Sequence, residues 1–172
     1  SQPDIDAYFY LQRRVDLEAL GRIERAQVPS AYFQGLVTAL QATRRYDDIL
    51  VSYLGPMDYP DQAAEVADFV LRLQGIRWVL SMGTHDGEMI LSVRTRRRGG
   101  AARLVQAIVG DRGMAGGHGA LAGGQIPLEG EEPARLAREL TGLALHHLGA
   151  ESPAEGEPIV TCQWPETLDA LH

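Results

Sequence analysis

Two side chains in this sequence, Arg94 and His118, together with Gly116 and Gly117, have the types and spacing to hold a phosphate. An arginine presents a planar fork of donors that matches phosphate geometry. An imidazole can donate a hydrogen bond to a phosphate or to a leaving-group oxygen. Glycines let backbone N–H groups approach an anion with no Cβ in the way. These residues sit in or near Gly110 to Gly124, GDRGMAGGHGALAGG, where seven of fifteen residues are glycine. Each glycine costs backbone entropy on folding, so such a density needs a reason. The expectation is a loop at Gly116-Gly117, with His118 opening a short helix through Leu121. Its unpaired N–H groups and partial positive charge would attract an anion. The plainer alternative is that the glycines only make tight turns and His118 packs.

The surroundings favour an anion. From Arg94 to Arg112 there are six arginines against one aspartate, although the whole chain carries a net charge of −7. That net charge argues against non-specific coating of duplex DNA. The chain has no lysine, which excludes a Walker-type phosphate loop. Gly117-x-Gly119-x-x-Ala122 fits the loose dinucleotide pattern, but a predicted helix precedes it where that fold requires a strand. Other reactive side chains read as bystanders. His85 falls in a turn and is expected to be solvent-exposed. His146 and His147 are adjacent at a helix end, where they complement the helix dipole better than they would share a metal. Cys162 is a lone cysteine with no histidine near it in sequence. It permits no intrachain disulfide, so a reducing cytoplasm is the expected compartment.

The elements that must position these residues follow from periodicity. Asp16 to Arg25 has helical spacing behind a less regular start, and Pro29-Ser30 caps a helix through Tyr46. Asp47 to Leu54 reads as a strand ending in Gly55-Pro56. A helix from Asp58 or Asp61 to Leu73 follows. Ile76 to Met82 and Met89 to Val93 form a hairpin over Thr84-His85-Asp86-Gly87. Ala101 to Val109 is a short helix before the glycine stretch, and Gln125 to Leu128 is a strand. Glu131 to Leu148 is an amphipathic helix with Pro133 near its start and Gly149 after its end. Beyond Glu151 the chain reads as a linker-like tail with an edge strand at Ile159 to Gln163. The 172 residues, 45% of them apolar, suffice for one α/β domain, and no apolar run is long enough to span a bilayer. The chain opens on Ser1 with its first methionine at Met57, and reads as part of something longer.

GGHGALAGG resembles the GGH-x-x-A-G signature of the DHHA1 domain, the C-terminal substrate-binding domain of DHH-family phosphoesterases. Ser92-Val93-Arg94-Thr95 resembles the Ser-x-Arg-Ser strand that precedes it in nanoRNA/pAp phosphatases and the RecJ exonuclease. The likeness covers roughly Asp47 to Leu148 in element order. It implies an α/β fold, a mixed sheet flanked by helices and preceded by a helical arm. Residues 1–46 would be that arm and the connection from a DHH catalytic domain, 47–150 the substrate-binding domain, and 151–172 a tail. Carried over residue by residue, Arg94, Gly116, Gly117 and His118 would bind the phosphate of a short oligonucleotide or nucleotide. The family's Asp-x-Asp and Asp-His-His metal motifs are not in this sequence. The resemblance therefore implies no catalytic residue and no metal ligand here, and places Mn²⁺ (or Mg²⁺) in the missing DHH domain. Arg96, Arg97 and Arg98 depart from the family's single basic residue and read as a solvated face. The implied setting is cytoplasmic, without membrane contact and compatible with a homodimer. A stand-alone nucleic-acid- or nucleotide-binding module without catalysis is the alternative, and a protein-interaction domain with purely structural glycines is a third reading.

Overall fold

The structure is a computed structural model, and it describes residues 2–12, 14–24, 27–150 and 156–161. Two compact units divide between Phe33 and Gln34. The first holds helices α1 (Gln2–Gln12) and α2 (Leu17–Glu24) and the start of α3 (Ser30–Ala42). The less regular stretch before Asp16 thus holds a helix over Gln2–Gln12, with none of its residues buried.

The second unit is built on one seven-stranded sheet. Its strands are β1 (Thr43–Tyr46), β2 (Ile49–Pro56), β3 (Trp78–His85), β4 (Glu88–Thr95), β5 (Met114–His118), β6 (Leu121–Pro127) and β7 (Glu157–Pro158). The order across the sheet is β5-β6-β4-β3-β2-β1-β7, and β2 runs parallel to β3 while every other pairing is antiparallel. The parallel pair is joined through helix α4 (Gln62–Val70), the crossover that parallel strands require. Helices α5 (Ala101–Val109) and α6 (Pro133–Leu148) cover the other face. The fold is the expected mixed α/β sheet flanked by helices.

Alternation along the strands decides which side chains meet which helices. Leu80, Met82, Met89, Leu91 and Val93 point to the face of α5 and α6, where they pack with Leu104, Ile108, Leu136, Leu140 and Leu145. Leu50 and Val79 point the other way, to Val66, Ala67 and Val70 of α4. On that face one register row holds only small residues. Thr43, Ser52, Ser81, Ser92, Gly123 and Gly116 lie side by side across β1, β2, β3, β4, β6 and β5. The Thr43 and Ser52 hydroxyls share a 2.7 Å hydrogen bond, and Thr43 Oγ1 donates to the Ala39 carbonyl at 2.7 Å. Such a row lets α4, through the fully buried Ala63 and Ala67, lie close on the sheet.

Several boundaries differ from expectation for local reasons. The helix expected through Tyr46 ends at Ala42, because Asp47 and Asp48 form the two-residue turn of a β1–β2 hairpin. Asp47 takes a positive φ of 53° there, which an aspartate tolerates. The largest correction is at the glycine stretch. His118 does not open a helix: β5 and β6 form a hairpin around Gly119 and Ala120, with Gly119 at φ 57°. The final strand lies at Glu157–Pro158, ahead of the position expected, and Cys162 and Gln163 fall outside the described residues. The Asp86-Gly87 turn forms as expected, with φ of 48° and 81°.

The small-residue row predicts that Ser81→Leu will push against α4 and cost about 1–3 kcal/mol. A urea midpoint equal to that of the wild type would show that α4 does not depend on the row.

Candidate functional site

Helix α4 reaches across β2, β3 and β4 but leaves β6 and β5 uncovered on its side of the sheet. The result is an open cleft of about 740 Å³ over β4, β6 and β5, walled by Pro60, Asp61, Ala63 and Ala64. Its floor follows from register. In antiparallel strands, directly opposed residues share a face. Arg94 therefore lies beside Leu121 and His118, Ser92 beside Gly123 and Gly116, and Ile90 beside Gln125 and Met114. The middle row carries nothing larger than a serine hydroxyl, so it forms a trough between an Arg94–His118 end and an amide-and-thioether end. Two strand spacings separate Arg94 from His118, roughly 10 Å between their backbones. Leu121 stands between them in that row, so an anion reached by both side chains would sit over the neighbouring row of Ser92, Gly123 and Gly116.

Arg94, Gly116, Gly117 and His118, the residues picked out in the sequence, all line this cleft. Their roles separate on inspection. A Cβ built on Gly117 would collide with Ala122 Cα and the Leu121 carbonyl, and this residue sits at φ 154°. Its glycine is thus required by the hairpin itself. Gly116 is different: a Cβ there would meet nothing within 4 Å. Packing does not explain that glycine, and an approaching ligand would. His118 is exposed at the end of the edge strand β5, and its ring makes no hydrogen bond with the described residues.

Arg94 is held firmly, with its side chain only 12% exposed. Its Nη1 donates to Ser92 Oγ at 2.8 Å and to the Val93 carbonyl at 3.2 Å. Its Nε donates to Asp68 Oδ1 at 2.7 Å, and its Nη2 lies 3.4 Å from Asp68 Oδ2. The fork expected to grip a phosphate is therefore turned onto a carboxylate of α4. Asp68 was not legible in the sequence. It looks like any polar residue on an amphipathic helix, and only the crossover of α4 over β4 brings it to Arg94.

Other residues fall outside the cleft. Arg96 bonds the Leu71 carbonyl just past α4, at 3.2 Å from Nε and 2.9 Å from Nη2. Arg97 and Arg98 are exposed. His85 is half-buried instead of exposed, because its Nδ1 is 3.1 Å from the Met57 carbonyl as that segment folds back on β3. His146 and His147 occupy the last turn of α6. The Tyr53 phenol, raised by burial and by the Glu132 carboxylate, packs on the α5–α6 face. Among the described residues no three of His, Cys, Asp and Glu stand together as a group that could hold a metal ion. No described helix is long and apolar enough to cross a membrane.

An exopolyphosphatase-related protein from Bacteroides fragilis superposes on 83% of this chain with a TM-score of 0.65 and 14% identity, using 43% of its own length. The chain shares the fold of the matching part of that protein. Looser likenesses are to RecJ of Thermus thermophilus (TM-score 0.48, 18% identity, 73% of this chain and 18% of RecJ) and to the C-Ala domain of Aquifex aeolicus alanyl-tRNA synthetase (TM-score 0.44, 14% identity, 59% of this chain and 97% of that domain). By sequence, an uncharacterized protein of Methanocaldococcus jannaschii is 28% identical over 130 residues, 74% of this chain. This chain spans 26% of that relative's length. No protein-family model matches the chain.

The two glycines should separate in a mutational test. Gly117→Ala is expected to destabilise the fold by about 1–3 kcal/mol. Gly116→Ala should leave stability within about 0.5 kcal/mol. Equal losses in urea denaturation would mean that both glycines serve the hairpin alone.

Proposed function

We propose that this chain is the phosphate-binding part of a metal-dependent phosphoesterase acting on short oligonucleotides or nucleotide phosphates. In this reading the metal ions, Mn²⁺ or Mg²⁺, belong to a DHH domain that lies outside this sequence. When bound there, they would activate a water for attack on the phosphoester. The residues of this chain bind and orient. Arg94 supplies charge and directional N–H donors. His118, in the same register row as Arg94, adds a hydrogen bond to a phosphate oxygen from the edge strand. Gly116, in the neighbouring row, leaves the floor beside them clear, and Gly117 shapes the hairpin that carries His118.

The observation that carries the reading is the register of the three strands. It puts Arg94 and His118 at the same end of one open cleft, beside a floor row of Ser92, Gly123 and Gly116 without side-chain bulk. Gly116, which the fold itself does not require, lies at the β5 end of that floor. The likeness in fold to an exopolyphosphatase-related protein gives support at the level of phosphoester chemistry. The partial coverage of that protein and of the archaeal relative fits a chain that works with a further domain.

Calorimetric titration with a 5′-phosphorylated dinucleotide or with pAp tests the assignment. Arg94→Ala is expected to weaken binding by about 1.5–3 kcal/mol, the range for hydrogen bonds to charged groups. His118→Ala should cost about 0.5–1.5 kcal/mol. Identical curves for the wild type and both variants would remove the basis for a phosphate site here.

A further inference from the structure

Arg94 is already occupied. Of its five N–H donors, the one on Nε goes to Asp68 Oδ1, both on Nη1 are directed at Ser92 Oγ and the Val93 carbonyl, and Nη2 leans on Asp68 Oδ2. A phosphate that wants the guanidinium's two-pronged edge must take it from a carboxylate. That carboxylate is built to give way. Asp68 is 59% exposed and can be rehydrated as it leaves, whereas Arg94, at 12%, stays where Ser92 and the strand backbone hold it. Asp61 and Ala64 line the cleft, and Asp68, next at helical spacing, reaches it through its contact with Arg94, which also lines it.

The geometry points to Asp68 as a specificity-determining residue, whose carboxylate an incoming phosphate must displace from Arg94. The inference rests on the phosphate-binding reading above. Its consequence is a selection by charge. A phosphodiester carries one negative charge, so its exchange for Asp68 swaps one monoanion for another and gains nothing at the guanidinium. A terminal phosphomonoester carries about 1.5 to 2 negative charges near neutral pH, along with more acceptor oxygens. It outcompetes the carboxylate where an internal linkage does not. The cleft would thereby take the phosphorylated end of a chain and pass over the linkages within it. Without Asp68, Arg94 would accept either.

The test uses the full chain and two probes, 5′-phosphorylated diadenylate and the same dinucleotide without its terminal phosphate. The wild type is expected to prefer the phosphorylated probe. Asp68→Asn should tighten binding of the unphosphorylated probe by about three- to fivefold, the scale of a partly exposed ion pair, and so narrow the preference. The same substitution in an Arg94→Ala background should change nothing. If Asp68→Asn weakens both probes, or leaves their ratio unchanged, while Arg94→Ala still weakens binding, Asp68 only props the arginine. The displacement idea then falls and the phosphate site stands. If Arg94→Ala matches the wild type for both probes, both readings fall together. Should Asp68→Asn fail to fold, the Arg94 Nε–H resonance of the wild type decides. The phosphorylated probe shifts it and the unphosphorylated one does not if Asp68 selects, and equal shifts overturn the proposal.

Discussion

The structure depends on one row of small residues running across the sheet. Ser52, Ser81 and Ser92 keep the surface of β2 to β4 low where Ala63 and Ala67 bring α4 close. The row continues as Gly123 and Gly116 beyond the reach of α4, and there the same lack of bulk opens a trough. Packing and cleft are thus two ends of a single device. Filling the row under the helix would lift α4 and move Asp68, while filling it at Gly116 would block the floor.

Charge is organised on top of this shape. The chain is acidic overall, yet the edge of the sheet that bears the cleft combines Arg94 with a free imidazole at His118. Arg94 is largely buried and its position is set by its own strand, through Ser92 and Val93, before any ligand arrives. Asp68 compensates the buried charge in the unliganded molecule, which accords with the rule that buried charges are found paired. A binding group that is both preorganised and provisionally neutralised can be stable alone and still available to a stronger anion.

Much of this was legible in the sequence, for identifiable reasons. Arg94, Gly116, Gly117 and His118 stood out by residue type and by likeness to a DHHA1 signature, and they do line one cleft. The strands β2, β3 and β4, as apolar runs bounded by turn residues, and the caps of α6 were likewise plain. The local form of the glycine stretch was not. A run such as Met114 to Gly124 offers no alternation of large apolar side chains, so nothing in it announces a strand, and its pairing is set by β4 and α5 from outside. The helix dipole first invoked at His118 is accordingly absent, and the electrostatics rest on Arg94 alone. Asp68 was illegible for a related reason. Its role comes from where a helix crosses a sheet, and helical spacing carries no such information.

A crystal structure of the chain with a 5′-phosphorylated dinucleotide addresses the central claim most directly. The account predicts a phosphate over the Ser92–Gly123–Gly116 row, within hydrogen-bond distance of Arg94 and His118. A phosphate bound instead on the exposed Arg97–Arg98 surface, with the trough empty, would contradict it.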